Sequence, residues 1–311
     1  MTQARLLDGA AIAQAVRTEA AAEVASLKAK RGVTPRLGVV LAGDDPASAI
    51  YVRNKDRACR EAGMASDVVR LPDATRESLL QAVRRLNEDP LVHGILVQLP
   101  LPPGIDASEI LLAIDPAKDV DGLHPDNAGR LLAGLPGFVP CTPAGIIELL
   151  RRSSIPLAGR EAVVLGRSEI VGKPVALLLL RENATVTVCH SKTLDLAAVA
   201  RRADVLVAAI GRPALVTSEF IKPGAVVVDV GINRCTSTQD AARFWPGDAA
   251  RQEEVRAKGW TLVGDVHPAH AMATASAFTP VPRGIGPMTI AMLLTNTLRA
   301  ARIAAGIPVG A

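Results

Sequence analysis

Tyr51 is the single tyrosine of the chain, and Lys55 follows it by four residues in YVRNKDRACREAG (51–63). On a helix, residues four apart share a face, so the phenol and the ammonium project together. A phenol can wall a flat ring, and an amine can move protons while it is unprotonated. A solvated lysine packing its stem along the ring is the alternative, and the pair alone does not choose. Ala58 and Ala62 continue the stripe with small side chains and are expected to leave open space. Gln98 is a second candidate. The prolines of LPLP (99–102) cannot continue a ladder, so Gln98 sits at the carboxyl end of its strand. Open parallel sheets bind ligands at that end.

A third constellation is AVVLGRSEIVGKPVALLL (162–179), read as strand, glycine turn and helix. Free N–H groups and the positive dipole end of a helix can hold phosphate there. The glycine spacing is not G-x-G-x-x-G, since Gly166 is followed by Arg167 and Ser168 and the next glycine is Gly172. A Walker reading fails too, because the gap to Gly172-Lys173 is one residue too long and Pro174 stands where a hydroxyl must hold magnesium. ATP hydrolysis is thereby disfavoured. The next strand ends in CHSKT (189–193), without the acidic residue that holds a ribose 2′-hydroxyl in NAD-specific domains. Ser191 and Lys192, with Arg167 on the neighbouring loop, suit a 2′-phosphate, so NADP is favoured over NAD. Two solvated loop cations are the competing reading. GRP (211–213) and GIN (231–233) again end strands with glycine, which lets a cofactor approach the backbone closely.

These residues need elements to position them. Asp45 as N-cap, Pro46 at the first helical position and Gly63 as a stop predict a helix over 46–62. Around it the pattern predicts a helix at 9–31, strands at 37–43 and 66–71, and a Thr75-capped helix to about 88. A second alternating block follows, with strands at 162–166, 185–190, 204–211, 225–232 and 261–266 and helices at 172–182 and 195–202. Strands separated by helices indicate parallel sheets. The expected fold class is α/β with two domains. Residues 1–122 form an N-terminal αβα parallel-sheet substrate domain, completed by a C-terminal helix (287–305) packing back on it. Residues 140–286 form a Rossmann-like doubly wound NADP domain. Residues 123–139 are expected to be a connector, and 233–260 an inserted surface loop with a short helix.

The 311 residues, 49% of them hydrophobic, give ample length for two cores. A net charge of +4 biases the chain mildly toward anionic partners, but cations and anions are interleaved, so no nucleic-acid stripe is present. Four scattered cysteines form no CxxC and no metal spacing, which suits reduced thiols. No signal peptide is read at the N-terminus, and VALLLL (175–180) is far too short to span a bilayer. The expectation is a cytoplasmic protein with no metal and no membrane or nucleic-acid partner.

Seven stretches together resemble one family: YVRNK (51–55), GILVQLPLP (94–102), KDVDGLHP (118–125), PCTPAG (140–145), GRSEIVGKP (166–174), CHSKT (189–193) and PVPRGIGPMT (280–289). They are similar, in order and over nearly the whole chain, to the bifunctional methylenetetrahydrofolate dehydrogenase/cyclohydrolase family. The resemblance implies oxidation of 5,10-methylenetetrahydrofolate by NADP, then hydrolysis of 5,10-methenyltetrahydrofolate to 10-formyltetrahydrofolate. It implies a folate cleft between two α/β domains and a homodimer joined through the cofactor domains. Lys55 matches the catalytic lysine, Tyr51 the aromatic flank of the substrate, Gln98 the lysine's hydrogen-bond partner and Asp121 the carboxylate that anchors the pterin. Val97 and Leu99 flank Gln98 at substrate positions. Gly166, Arg167, Ser168, Ser191 and Ile232 fall at NADP positions, and Pro282, Gly284 and Gly286 fall in a folate-contacting loop.

Other readings are a dehydrogenase that has lost the hydrolase, and a non-catalytic NADP-binding module. Lys55 with Gln98 argues against the first, and the set Tyr51, Lys55, Gln98 and Asp121 against the second. One departure stands in the folate loop, where Arg283 replaces a small residue and is expected to meet a glutamate tail. Glu169 is expected to point outward, away from phosphate.

Overall fold

The structure is a computed structural model, described here for residues 3–308. In chain order its elements are β1 (Arg5–Leu6), α1 (Gly9–Arg31), β2 (Arg36–Ala42), α2 (Pro46–Glu61), β3 (Ala65–Leu71), α3 (Arg76–Glu88), β4 (Gly94–Val97), α4 (Ala107–Leu112), α5 (Pro125–Ala133) and α6 (Cys141–Arg152). They continue with β5 (Glu161–Leu165), α7 (Gly172–Arg181), β6 (Thr185–Cys189), α8 (Leu196–Ala200), β7 (Val205–Ala208), β8 (Val226–Asp229), β9 (Asn233–Cys235), α9 (Thr238–Phe244), α10 (Ala249–Lys258), β10 (Thr261–Val263), α11 (Pro268–Thr274), β11 (Ala277–Phe278) and α12 (Ile285–Ala304). Two compact units result: Ala13–Cys141 with the chain from Ile290 onward, and the chain to Ile12 with Thr142–Thr289.

In the first of these units, a parallel sheet runs β3-β2-β4 with β2 central. Successive β2 side chains point to opposite faces. Leu37, Val39 and Leu41 enter one core with Val52 of α2, Leu96 of β4 and Leu293, Leu294 and Leu298 of α12. Val40 and Ala42 enter the other, against Leu79, Val83 and Leu86 of α3 and Ile110 of α4. The result is the expected αβα layering, with the C-terminal helix packed on it. Two expectations are corrected here. Ala58 and Ala62 are 3% and 5% exposed and sit in the core, because the stripe below Lys55 turns inward on the β2 face. Residues 123–139 are not a mere connector: α5 and Phe138 belong to this unit, and Phe138 is buried in its core.

The other unit carries a six-stranded sheet in the order β1-β11-β8-β7-β5-β6, with every pairing parallel. Its centre is apolar on both faces, as in VVVD of β8 and VLVA of β7, whose residues are all buried. Residues 3–12 group here rather than with the substrate domain, because β1 pairs with β11 and the Leu7 N–H donates to the Phe278 carbonyl at 2.9 Å. Neither two-residue strand is long enough to show a period. Gly9 is needed for the same approach, since a Cβ there would lie 1.9 Å from the Gly284 carbonyl oxygen.

The 261–266 stretch departs from expectation as well. Its strand, β10, pairs only with β9, in an antiparallel hairpin outside the main sheet. Together with α9 and α10 this hairpin makes the 233–260 insertion a packed body rather than a surface loop. Its own small core holds Cys235, Ala241, Phe244, Val255 and Val263, with Trp245 against it. The Arg251 guanidinium lies 4.7 Å from the Trp245 ring and donates to the Val281 carbonyl at 3.1 Å.

His267 is buried at the edge of this body, edge-on to Phe244 and stacked on His270 at 3.9 Å. Burial, then His270 and Arg243, lower its pKa from 6.5 to about 4. The folded chain therefore binds fewer protons at this ring than the unfolded chain does. That contribution to stability is present above about pH 6.5 and is lost as pH falls toward about 4. Asp229, raised by burial to about 8, slopes the opposite way, so the comparison must be with a variant. Between pH 6.5 and 4 the parent is expected to lose more thermal stability than His267→Gln; parallel Tm profiles would contradict this.

Candidate active site

Asp45 caps α2 by accepting the Ser48 N–H at 2.8 Å, with Pro46 at the first helical position, as the sequence predicts. The helix presents Tyr51, 42% exposed, and Lys55, half-buried, on one face. Lys55 Nζ donates to Gln98 Oε1 at 3.0 Å. The other end of that amide is also engaged, with Nε2 donating to the Leu99 carbonyl at 2.6 Å. The Gln98 N–H donates to the Val40 carbonyl at 2.9 Å, which places it one step beyond β4, between the buried Val97 and the half-buried Leu99. Among the described residues Lys55 forms no ion pair with a carboxylate. Cys59, on the next turn, is fully buried, and burial pushes its thiol up to about 12, so it is no nucleophile at neutral pH.

Asp121 lies in a turn whose two aspartates have separate tasks. Asp119 is buried and accepts N–H groups from Leu123 at 3.1 Å, His124 at 2.8 Å and the Asn127 side chain at 2.9 Å. Burial raises its pKa, and those donors oppose the rise. Asp121 stays half-buried and available. The carbonyl of Val120, just before it, accepts from Asn296 Nδ2 of α12 at 2.8 Å and from Cys141 Sγ at 3.4 Å. Gly122 turns the chain at φ +71°, and a Cβ there would meet Pro140 N at 2.5 Å. The Cys141 thiol is pushed well above its usual range by burial, then by Asp121, with Lys55 opposing; both charges therefore reach one buried atom. Sequence reasoning singled out Lys55, Gln98 and Asp121 but not Asn127, whose partners lie 8 to 11 residues away, nor Asn296, whose partners are distant in the chain.

In the other unit a cavity of about 550 Å³ opens at the carboxyl ends of β5, β6 and β7. Gly166, Arg167, Ser168 and Ser191 line it, as expected, and so do His190 and Arg212, which were not expected. Ile232 is 50% exposed and is not among its lining residues. Gly166 holds φ +118°, and a Cβ there would lie 2.1 Å from the Ala209 carbonyl oxygen. Ser168 Oγ accepts from the N–H groups of Val171 at 3.1 Å and Gly172 at 3.3 Å, steadying the entry to α7. Glu169 points outward and pairs with Lys173 at 3.1 Å. CHSKT closes into a tight turn in which the Lys192 N–H donates to His190 Nδ1 at 3.1 Å. Two guanidinium groups, hydroxyls and a glycine-walled backbone fit a phosphate-bearing dinucleotide.

The turn that carries Pro282 and Gly284 leads into α12, whose second residue is Gly286. Arg283 there has φ +84°, and its guanidinium pairs with Asp8 at 3.0 Å instead of standing free for a glutamate tail. The pair is exposed and so contributes little stability, less than about 1 kcal/mol. Among the described residues no group of three or more His, Cys, Asp or Glu could hold a metal ion, and no helix is long and apolar enough to cross a membrane.

The glycine wall is open to test. Gly166→Ala would strain the backbone by on the order of 1–3 kcal/mol and press on Ala209, so the thermal midpoint should fall by several degrees. An unchanged midpoint would show that the loop tolerates a side chain there.

Comparison with known proteins matches both halves of the chain to one family. The tetrahydrofolate dehydrogenase/cyclohydrolase catalytic-domain model matches residues 7–121, and the NAD(P)-binding-domain model of the same family matches residues 140–305. The bifunctional protein FolD of Koribacter versatilis is 57% identical over 304 residues, 97% of this chain and 98% of that protein. The crystal structure of the bifunctional FolD enzyme of Campylobacter jejuni aligns with a TM-score of 0.86 at 44% identity, covering 96% of this chain and 98% of that one. The dehydrogenase-cyclohydrolase of Trypanosoma brucei, solved with NADP cofactor and inhibitor, aligns with a TM-score of 0.87 at 42% identity, covering 97% and 99%. The chain belongs to the tetrahydrofolate dehydrogenase/cyclohydrolase family.

Proposed function

We propose that this protein oxidises 5,10-methylenetetrahydrofolate with NADP and hydrolyses the product, 5,10-methenyltetrahydrofolate, to 10-formyltetrahydrofolate. The observation that carries this reading is the 3.0 Å hydrogen bond from Lys55 Nζ to Gln98 Oε1, beside Tyr51 and without an ion-paired carboxylate. A dehydrogenase alone has no need of a proton-moving amine.

Asp121 accepts two donors from an amino-pyrimidinone edge, a charge-assisted pair that orients the ring, while Tyr51 walls its face. Loss of hydride leaves the one-carbon unit as a cation shared between two nitrogens, so the first step depends on orientation more than on acid catalysis. Arg167, Ser168, Ser191 and Arg212 line the cavity and would hold the dinucleotide, with Arg167 suited to its 2′-phosphate. The chemistry NADP would supply there is that of a hydride acceptor. In the second step water adds to the carbon between the nitrogens, and its proton passes to the neutral Lys55 amine. Lys55 then protonates N5 as the carbon–N5 bond breaks, while the remaining hydroxyl proton leaves to solvent and the carbon–oxygen double bond of the formyl group forms on N10. Gln98 steers the amine as an acceptor without adding the negative charge that would hold a proton on it. A homodimer joined through the cofactor units, and a cytoplasmic location, belong to the same reading.

Two assays separate this from a monofunctional dehydrogenase and from a non-catalytic NADP-binding module. Rising methenyltetrahydrofolate absorbance with folate and NADP reports oxidation, and its enzyme-dependent decay reports hydrolysis. Lys55→Met should slow the decay by about 10²-fold or more while oxidation persists. Wild-type decay in that variant would remove Lys55 from the chemistry. Arg167→Ala should weaken NADP about 10-fold or more and leave NAD nearly unaffected, and an equal loss for both would reject the 2′-phosphate contact.

A further inference from the structure

Asp265, in the turn after β10, is fully buried yet forms no ion pair among the described residues. Four N–H donors converge on its carboxylate instead. Oδ2 accepts from the backbone of Ile210 at 2.6 Å and Gly211 at 2.9 Å. Oδ1 accepts from the backbone of Arg212 and from Asn233 Nδ2, both at 2.9 Å. Three consecutive peptide planes of the loop after β7 are thereby pinned to one side chain. Ile210 and Arg212 line the 550 Å³ cavity, and Gly211 between them holds φ +74°. The same loop supplies the Ala209 carbonyl that approaches Gly166 on the opposite wall.

The anchor is itself held from below. Asp229, at the end of β8, accepts the Asp265 N–H at 2.8 Å and the Val266 N–H at 3.0 Å. Gly231 leaves no room for slack, because a Cβ there would lie 2.4 Å from Asp265 Oδ1. Asn233 opens β9, so the fourth donor comes from the hairpin of the packed insertion. A charge buried without a cation is tolerated when several N–H groups point at it, and such bonds are short and directional.

We propose that Asp265 is a positioning residue for cofactor binding: it sets the Ile210–Arg212 wall of the cavity and ties that wall to the 233–260 insertion through Asn233. This rests on the reading of the cavity as the NADP site. Its chemistry is distinct from that of the groups assigned to touch the cofactor, because Asp265 acts only through the loop it holds.

The test measures NADP binding by calorimetry, and kcat and KM for NADP, on the intact protein. Asp265→Asn keeps the shape but turns an NH₂ group toward N–H donors. It should raise the NADP dissociation constant and KM by about 10-fold or more, with kcat at saturating NADP changed much less. Asn233→Ala removes a single donor at a half-buried position and should raise both by about threefold. The double variant should bind no more weakly than Asp265→Asn, since Asn233 acts through Asp265. Should Asp265→Asn fail to fold, Asn233→Ala decides. Parental NADP affinity in the variants, or a fall in kcat with KM unmoved, would overturn the role. Failure of the unaltered protein to bind NADP would instead reject the cofactor reading, and this role with it.

Discussion

A lysine held by a neutral amide organises the substrate unit. An ammonium beside a carboxylate keeps its proton, whereas one beside a carboxamide is oriented without that added hold. The Lys55–Gln98 contact at 3.0 Å needs α2 and the end of β4 to lie side by side. Their alignment follows from β2, whose odd-numbered residues bury Val52 and Leu96 against one face of the sheet. The amide in turn cannot rotate freely, since its NH₂ group is spent on the Leu99 carbonyl. A hydrogen bond to a charged group is worth about 1.5–3 kcal/mol, enough to hold one rotamer of a long side chain.

A second constraint recurs across the molecule. Asp119, Asp229 and Asp265 are all buried, and each accepts several N–H groups at a turn that follows a strand or bridges to one. Strand ends in parallel sheets leave backbone donors without ladder partners, and a buried carboxylate satisfies several at once. Two of the turns so held carry a residue of the candidate machinery, Asp121 after Asp119 and Arg212 under Asp265, and Asp229 in turn holds the Asp265 backbone. Rigid turns on a packed sheet present side chains more reproducibly than free loops do.

Much of this was legible in the chain because it is local. The Asp45 and Thr75 caps and the Gly166 turn depend on residues a few positions apart, and the structure places them as their spacing predicts. The candidate residues Lys55, Gln98 and Asp121, and the four cavity residues from Gly166 to Ser191, came from motifs that stay contiguous. Ile232 was carried over on sequence position alone, and the residues lining the cavity do not include it.

What only the tertiary structure decided depends on partners far apart in sequence. Residues 3–12 joined the second unit through a two-residue pairing that no periodicity announces, and Arg283 found Asp8 across 275 positions. The insertion read as a surface loop because its core is built from isolated side chains, Phe244, Val255 and Val263, that meet only after folding. Ala58 and Ala62 looked like the edge of a cleft until the sheet beneath them closed the space. Local sequence sets which backbone conformations are cheap; which buried donor faces which buried acceptor follows only once the sheets have brought remote segments within hydrogen-bonding distance.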